Sequence, residues 1–270
     1  MKTVSRIYTF LIFLFLYAPI VVLIVFSFNG STTGSRSVFA GFSFRWYHQL
    51  FQDDALLTAL RNTLIIAVVA AVVSTVLGTA AAIGIGGMNK WMRRAVMDVT
   101  NFPMVNPDIV TGVSLMLLFV AGAKMMGGAS LGMASLILAH ITFCLPYVIL
   151  SVMPKLRQMD PNLSEAAQDL GCPPSAAFFR VVLPEIMPGI VTGLIMAFTL
   201  SIDDFVVSYF TSGTTQTLPI FIYSMTRKRV SPEINALSTL LFGIILVLLL
   251  IINARTSKDS RKNEVSLKEV

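Results

Sequence analysis

The sequence predicts an all-α integral membrane protein with six transmembrane helices and both termini in the cytoplasm. Three observations carry that expectation. Of its 270 residues, 55% are hydrophobic and only 13% are charged. Mean hydropathy is +0.78, far above what a water-covered surface allows. Apolar stretches near the roughly 20 residues that cross a bilayer core recur six times.

The stretches lie near 7–28, 62–86, 99–121, 131–152, 189–211 and 236–253. The first is too long for the apolar core of a secretory signal, and Ser27-Phe28-Asn29-Gly30 is no small-residue cleavage site, so it reads as a retained span. Orientation follows from the basic residues of the connectors. With the N-terminus inside, Lys2, Arg6, Lys90, Arg93, Arg94, Lys155, Arg157 and Arg180 are cytoplasmic, together with five more in the tail after 254. Arg36, Arg45, Arg61, Lys124 and the run Arg227-Lys228-Arg229 fall outside. The bias favours cytoplasmic termini, against the pull of that last cluster. The expected layout is a permease domain over 1–254 and a charged cytoplasmic tail over 255–270.

The formal charge of +6 is scattered through connectors instead of forming a basic stripe interleaved with aromatics, which excludes nucleic acid as a partner. Cys144 and Cys172 form neither a C-x-x-C pair nor a Cys/His cluster, so no metal is expected.

The longest cytoplasmic connector, 153–188, reads as two short helices. Pro161-Asn162-Leu163-Ser164 starts the first, and Gly171 ends it as glycine commonly ends helices. Pro173-Pro174 opens the second, which is expected to stop at Leu183-Pro184. Glu165-Ala166-Ala167, three residues, Gly171, nine residues, then Val181-x-Leu183-Pro184 resembles the EAA loop of bacterial ABC importer permeases, with valine where isoleucine is usual. The resemblance implies a type I (MetI-like) permease architecture. It also implies that Glu165, Ala166, Ala167, Gly171, Val181, Leu183 and Pro184 couple the permease to a separate ATPase. The chain has no G-x-x-x-x-G-K-[ST] loop: Gly84-Ile85-Gly86-Gly87-Met88-Asn89-Lys90 has the wrong spacing. No enzymatic site of its own is expected. ATP and Mg would be bound by the partner.

Carboxyl groups at bilayer depth cost about 2.5–3.5 kcal/mol each on insertion scales and call for a reason. Asp108, Asp203 and Asp204 lie within predicted spans, with no lysine or arginine at comparable depth. That one-sided charge suits a cation. Ten residues from Asp98 to Asp108 give a rise of about 15 Å, near mid-bilayer, and fifteen from Pro188 put Asp203 in the outer half. Pro103 and Pro107 are expected to kink the third span. Asp203 and Asp204 diverge by about 100° on a helix, so one should face the pathway and the other a neighbouring polar group. Trp46, Tyr147 and Tyr209 are aromatic candidates for an ammonium ion, and His140 reads as an interhelical hydrogen-bonding residue.

Several further stretches are similar to the permeases of spermidine/putrescine importers, PotC-type subunits: Phe44-Arg45-Trp46-Tyr47, Asn106 to Val110, Ala139 to Pro146, Phe198 to Asp204 and Val230 to Leu237. This resemblance implies ATP-driven polyamine import by alternating access in a bacterial inner membrane. The implied partners are a companion permease subunit, a pair of ATP-binding subunits and an extracytoplasmic polyamine-binding protein. On that pattern Trp46, Asp108, Asp203 and Asp204 match positions of polyamine passage. The alternatives are a permease of the same fold for another cationic or small solute, and an ATP-independent carrier or channel.

Overall fold

A bilayer core offers a backbone N–H or C=O no partner, so apolar runs of this length must close their hydrogen bonds within helices. The computed structural model describes residues 2–30, 39, 41–126, 131–160, 162–228, 233–243 and 246. Among these, regular structure is helical apart from one isolated antiparallel bridge between Asn29 and Phe42. Five of the helical stretches are long and apolar enough to cross a membrane: Arg6–Ser27, Asp54–Gly86, Asp108–Met125, Met133–Gln158 and Pro174–Asp203. The chain divides into two compact units, Met1–Leu57 with Ile222–Val270, and Thr58–Phe221.

In the first unit, α1 (Lys2–Ser27) presents bare apolar side chains, with Phe15 81% exposed. It feeds an aromatic knot in front of α2 (Arg45–Leu50). Phe28 stacks on Phe42 at 4.8 Å between centroids and meets Phe44 edge-on at 5.5 Å. The Ser27 hydroxyl lies 2.7 Å from the Tyr47 hydroxyl. Residues 233–243 are helical. Apart from residue 246, the remainder of the expected sixth span and the tail from 255 lie outside the described residues, as do Arg36 and Arg229.

The second unit takes up α3 (Asp54–Gly86) and then holds α4 (Lys90–Val105), α5 (Asp108–Met126), α6 (Met133–Gln158), α7 (Leu163–Asp169), α8 (Pro174–Ala177), α9 (Leu183–Asp203) and α10 (Val206–Thr211). A further helix, α11, runs over Leu218–Lys228. Lipid is as apolar as leucine, so helices associate there through close packing of small residues. A Cβ on Gly189 of α9 would stand 2.9 Å from the Ser151 carbonyl oxygen, and one on Gly193 would stand 3.2 Å from Val148 Cγ1. From α3, a Cβ on Gly78 would come within 2.7 Å of that same Val148 atom. Three glycines thus let α3 and α9 close on α6, burying Cys144, Val148, Ile149, Val152, Ile186 and Ala197.

Three expectations need correction. The third span is not one helix over 99–121: it is broken between α4 and α5, because Pro107 lacks an N–H and forces Asn106 into extended backbone (φ −76°, ψ 139°). The fifth span, expected over 189–211, likewise breaks after Asp203, and α10 is a separate short helix. Finally, Leu183-Pro184 does not stop a helix. A π-helical turn, Phe178–Val182, joins α8 to α9, with the Leu183 N–H donating to the Phe178 carbonyl. Pro184 therefore lies within one continuous helical stretch, Pro174–Asp203, directly after the π turn. Helix α6 runs on to Gln158 and helix resumes at Pro174 after α7, so long helices enter both ends of the 153–188 segment.

Candidate functional site

The break before α5 leaves Asp108 in the first turn of that helix, exposed, with the Val110 N–H donating to the Pro107 carbonyl at 2.9 Å. A carboxylate suits this position because the helix N-terminus carries partial positive charge. The break also removes the basis for a mid-bilayer depth counted from Asp98, since that count assumed one continuous rise. Asp108 opens its candidate span, and Asp203 closes another.

The break after α9 is built differently. Asp204 is extended (ψ 119°) and its side chain is only 7% exposed. Its carboxylate accepts the N–H of Ser208 at 2.7 Å and that of Val207 at 3.3 Å, capping α10. On its other flank lies His140 of α6, whose Nε2 is 3.6 Å from Asp204 Oδ2 and 2.9 Å from Ser208 Oγ. His140 Nδ1 is 2.7 Å from Ser201 Oγ on α9. One buried imidazole thus ties together the end of α9, the start of α10 and the middle of α6. The expected interhelical role of His140 is what its geometry provides. Ser201 and Ser208 were not singled out in the sequence; their signal was two hydroxyls flanking a carboxylate pair in an otherwise apolar run.

Asp203 turns the other way and is exposed. The pair therefore divides as the 100° rule requires, Asp204 inward and Asp203 outward.

The two breaks lie side by side. On α5, a Cβ at Gly112 would stand 3.4 Å from both the Val206 oxygen and Val207 Cα of α10. Gly112 is one turn beyond Asp108, and Val206 is two residues beyond Asp204. Tyr147 is half-buried on α6, its ring 5.7 Å from that of Phe143. Tyr209, 48% exposed, packs its ring 5.5 Å from Phe205 and 5.6 Å from Phe210. Asp108, Asp203, Tyr147 and Tyr209 all belong to the second unit. Trp46 belongs to the first, where its indole N–H donates to the Asn29 carbonyl at 2.7 Å. The Arg45 guanidinium lies 5.9 Å from the centre of the Trp46 ring. Among the described residues no group of three or more His, Cys, Asp or Glu could hold a metal.

The segment expected to couple, from Glu165 to Pro184, begins on an exposed helix. No residue of α7 is buried, Glu165 sits in its first turn, and Leu170 is 90% exposed just past its end. Gly171 has φ +89°, a conformation glycine adopts without strain. The N–H groups of Gly171 and Cys172 return to the carbonyls of Gln168 (2.8 Å) and Ala167 (3.1 Å), the paired bonds of a Schellman ending. Val181 and Leu183 follow in and after the π turn, Leu183 packing against the α6–α9 core.

Residues 74–257 match the family described as binding-protein-dependent transport system inner membrane component. The putrescine transport system permease protein PotI of Escherichia coli K12 is 44% identical over 236 residues, 86% of this chain and 83% of that protein. The spermidine/putrescine transport system permease protein PotC of Haemophilus influenzae is 38% identical over 254 residues, 94% of this chain and 96% of that protein. Among solved structures, a bacterial ABC transporter that imports the acidic polysaccharide alginate aligns with a TM-score of 0.70 at 15% identity, over 94% of this chain and 95% of that one. An amino acid ABC transporter aligns at 0.53 and 20% identity, over 76% and 96%. At such identities the structural likeness speaks to fold alone.

Proposed function

The chain belongs to the inner membrane components of binding-protein-dependent transport systems, and from that premise we propose that it is the permease subunit of an ATP-driven polyamine importer. The observation that carries this reading is the pair of exposed carboxylates, Asp108 and Asp203, each at one of two helix breaks whose flanking helices α5 and α10 pack together. No lysine or arginine occurs within 62–86, 108–123, 133–154 or 183–203. A flexible polyammonium needs fixed counter-charges for its nitrogens and aromatic or apolar walls for its methylenes. The printed functions of the relatives, putrescine and spermidine/putrescine transport, agree with that chemistry.

In this reading six helices cross the membrane, both termini are cytoplasmic, and residues 255–270 form a cytoplasmic tail. Hydrolysis belongs to a separate pair of ATP-binding subunits, which hold the ATP and Mg. A companion permease completes the pathway and an extracytoplasmic binding protein delivers the polyamine. The exposed helix α7 is the contact through which the ATPase moves the permease. Its Schellman ending fixes the angle at which it projects, so a push on α7 is passed as a rigid-body motion through α8 and the π turn into α9. Asp203 ends that helix, and after the break at Asp204 the chain enters α10, which packs on α5. Movement at α7 therefore reaches Asp203 along the chain and Asp108 through the packing of α10 on α5.

Uptake of radiolabelled putrescine and spermidine into membrane vesicles, with the cognate ATPase and binding protein, tests the reading. ATP-dependent uptake of at least one is expected, and absence of both overturns it. Asp108→Asn, normally expressed, should raise the concentration for half-maximal uptake about tenfold, the scale of one lost charge-assisted contact. Unchanged uptake at limiting substrate would remove Asp108 from the pathway.

A further inference from the structure

A cleft of about 510 Å³ opens between the first turns of α4 and the last turn of α6, lined by Lys90, Arg93, Arg94, Met97, Asp98 and Arg157. Four cations face one carboxylate there. Among the described residues the one base–carboxylate contact within 4.0 Å is that of His140 with Asp204, so none of the four pairs with Asp98 or another described acid. Lys90, Arg94 and Arg157 are exposed and Arg93 is half-buried. A polycation is repelled from such a cleft, so it forms no part of the proposed polyamine path.

Its position indicates what it attracts. The candidate spans of α3 and α6 end at Gly86 and Gln158, on either side of the cleft in sequence, so it sits where hydrocarbon gives way to water. Trp91 is 80% exposed beside Lys90, the pairing of ring and cation that anchors helices at that boundary. Further along α4, Val99 and Phe102 are exposed too, an apolar surface running away from the cations. Guanidinium groups bind phosphate oxygens in a two-pronged fork, and basic pockets between helices at a membrane surface take anionic headgroups. We propose that this cleft binds the phosphate headgroup of an anionic membrane phospholipid, whose chains lie along the apolar side of α4.

The test uses the whole transporter, purified with its partner subunits and placed in nanodiscs of phosphatidylcholine doped with phosphatidylglycerol. Native mass spectrometry then compares the lipid each variant retains. The wild type should retain phosphatidylglycerol preferentially. Lys90→Gln, Arg94→Gln and Arg157→Gln should each weaken retention about fivefold, and together by about a hundredfold. Arg94→Lys, which keeps the charge but loses the fork, should restore part of the loss at its site. Should the triple variant fail to assemble, the single variants decide, since each changes one exposed side chain. Equal phosphatidylglycerol retention by the variants overturns the proposal. So does displacement of the lipid by inorganic phosphate at comparable concentration, which would mark a free-anion site. Loss of the ATP-binding subunits from the variants with lipid retention intact also overturns it, and would mark a protein contact.

Discussion

Two helices of the second unit break, and they break for different reasons. Between α4 and α5 the cause is covalent: Pro107 cannot donate, and Asn106 is held extended by the ring that follows. After α9 no proline is present. There a buried carboxylate, an imidazole and two hydroxyls hold the chain out of helix, through Asp204, His140, Ser201 and Ser208. A proline break is indifferent to its surroundings, whereas a capped break exists only while its partners stay in place. The first can act as a fixed shelf for Asp108. The second is coupled to α6 and α9, the pair that leads down to the exposed helix α7.

His140→Leu attacks that difference most directly and should have the largest effect. It removes both imidazole contacts and leaves two hydroxyls and a carboxylate in an apolar interior. Unpartnered buried groups cost about 1–3 kcal/mol each, partly offset because hydroxyls in a helix can turn to their own backbone. A loss of about 2–4 kcal/mol is expected, read as a lowered melting temperature of the purified complex together with lost uptake. His140→Gln, which can both donate and accept, should recover part of it. A melting temperature unchanged in His140→Leu would show that the cap alone holds the break.

The aspartate pair sharpens the same point with a smaller effect. Asp204→Ala deletes the cap on α10 and should cost about 1 kcal/mol of stability. Asp203→Asn, at an exposed position, should leave melting unaltered and raise the half-maximal uptake concentration about tenfold, as one charged contact is lost. If the two variants exchange phenotypes, the inward and outward assignments are reversed.

Much of this was legible in the sequence, and the exceptions are instructive. Apolar run length placed α1, α3 and α6 because burial in lipid is a property of a whole segment. The motif from Glu165 to Pro184 was legible as spacing, and Gly171 was read correctly as a helix end. Pro184 misled, because a proline that ends a helix and one carried within it look identical in sequence. Only the π turn over 178–182 distinguishes them. The break after Asp203 was hidden for another reason: its cause includes His140 on α6, which is 61 and 68 residues from the Ser201 and Ser208 it bonds. The division of Asp203 from Asp204 followed from helical geometry, but its direction needed the partner on α6.

Pro107→Ala is the mildest of the changes and bears on the other half of the comparison. Alanine restores an N–H and frees Asn106 to become helical, while the unfolded chain gains freedom that proline denied it. These effects oppose one another, so stability should move by less than about 1 kcal/mol. Geometry is the better readout. Spin labels at Val99→Cys and Leu117→Cys, both exposed positions, would report the distance across the break in a Cys172→Ser background, with Cys144 buried and unreactive. If proline alone makes the break, the alanine variant should approach the roughly 27 Å that eighteen residues of continuous helix span. Should the distance stay at its wild-type value, packing of α5 on α10 through Gly112 holds the break as firmly as the ring does. The two breaks would then be one device, and the contrast between them would rest on chemistry but not on function.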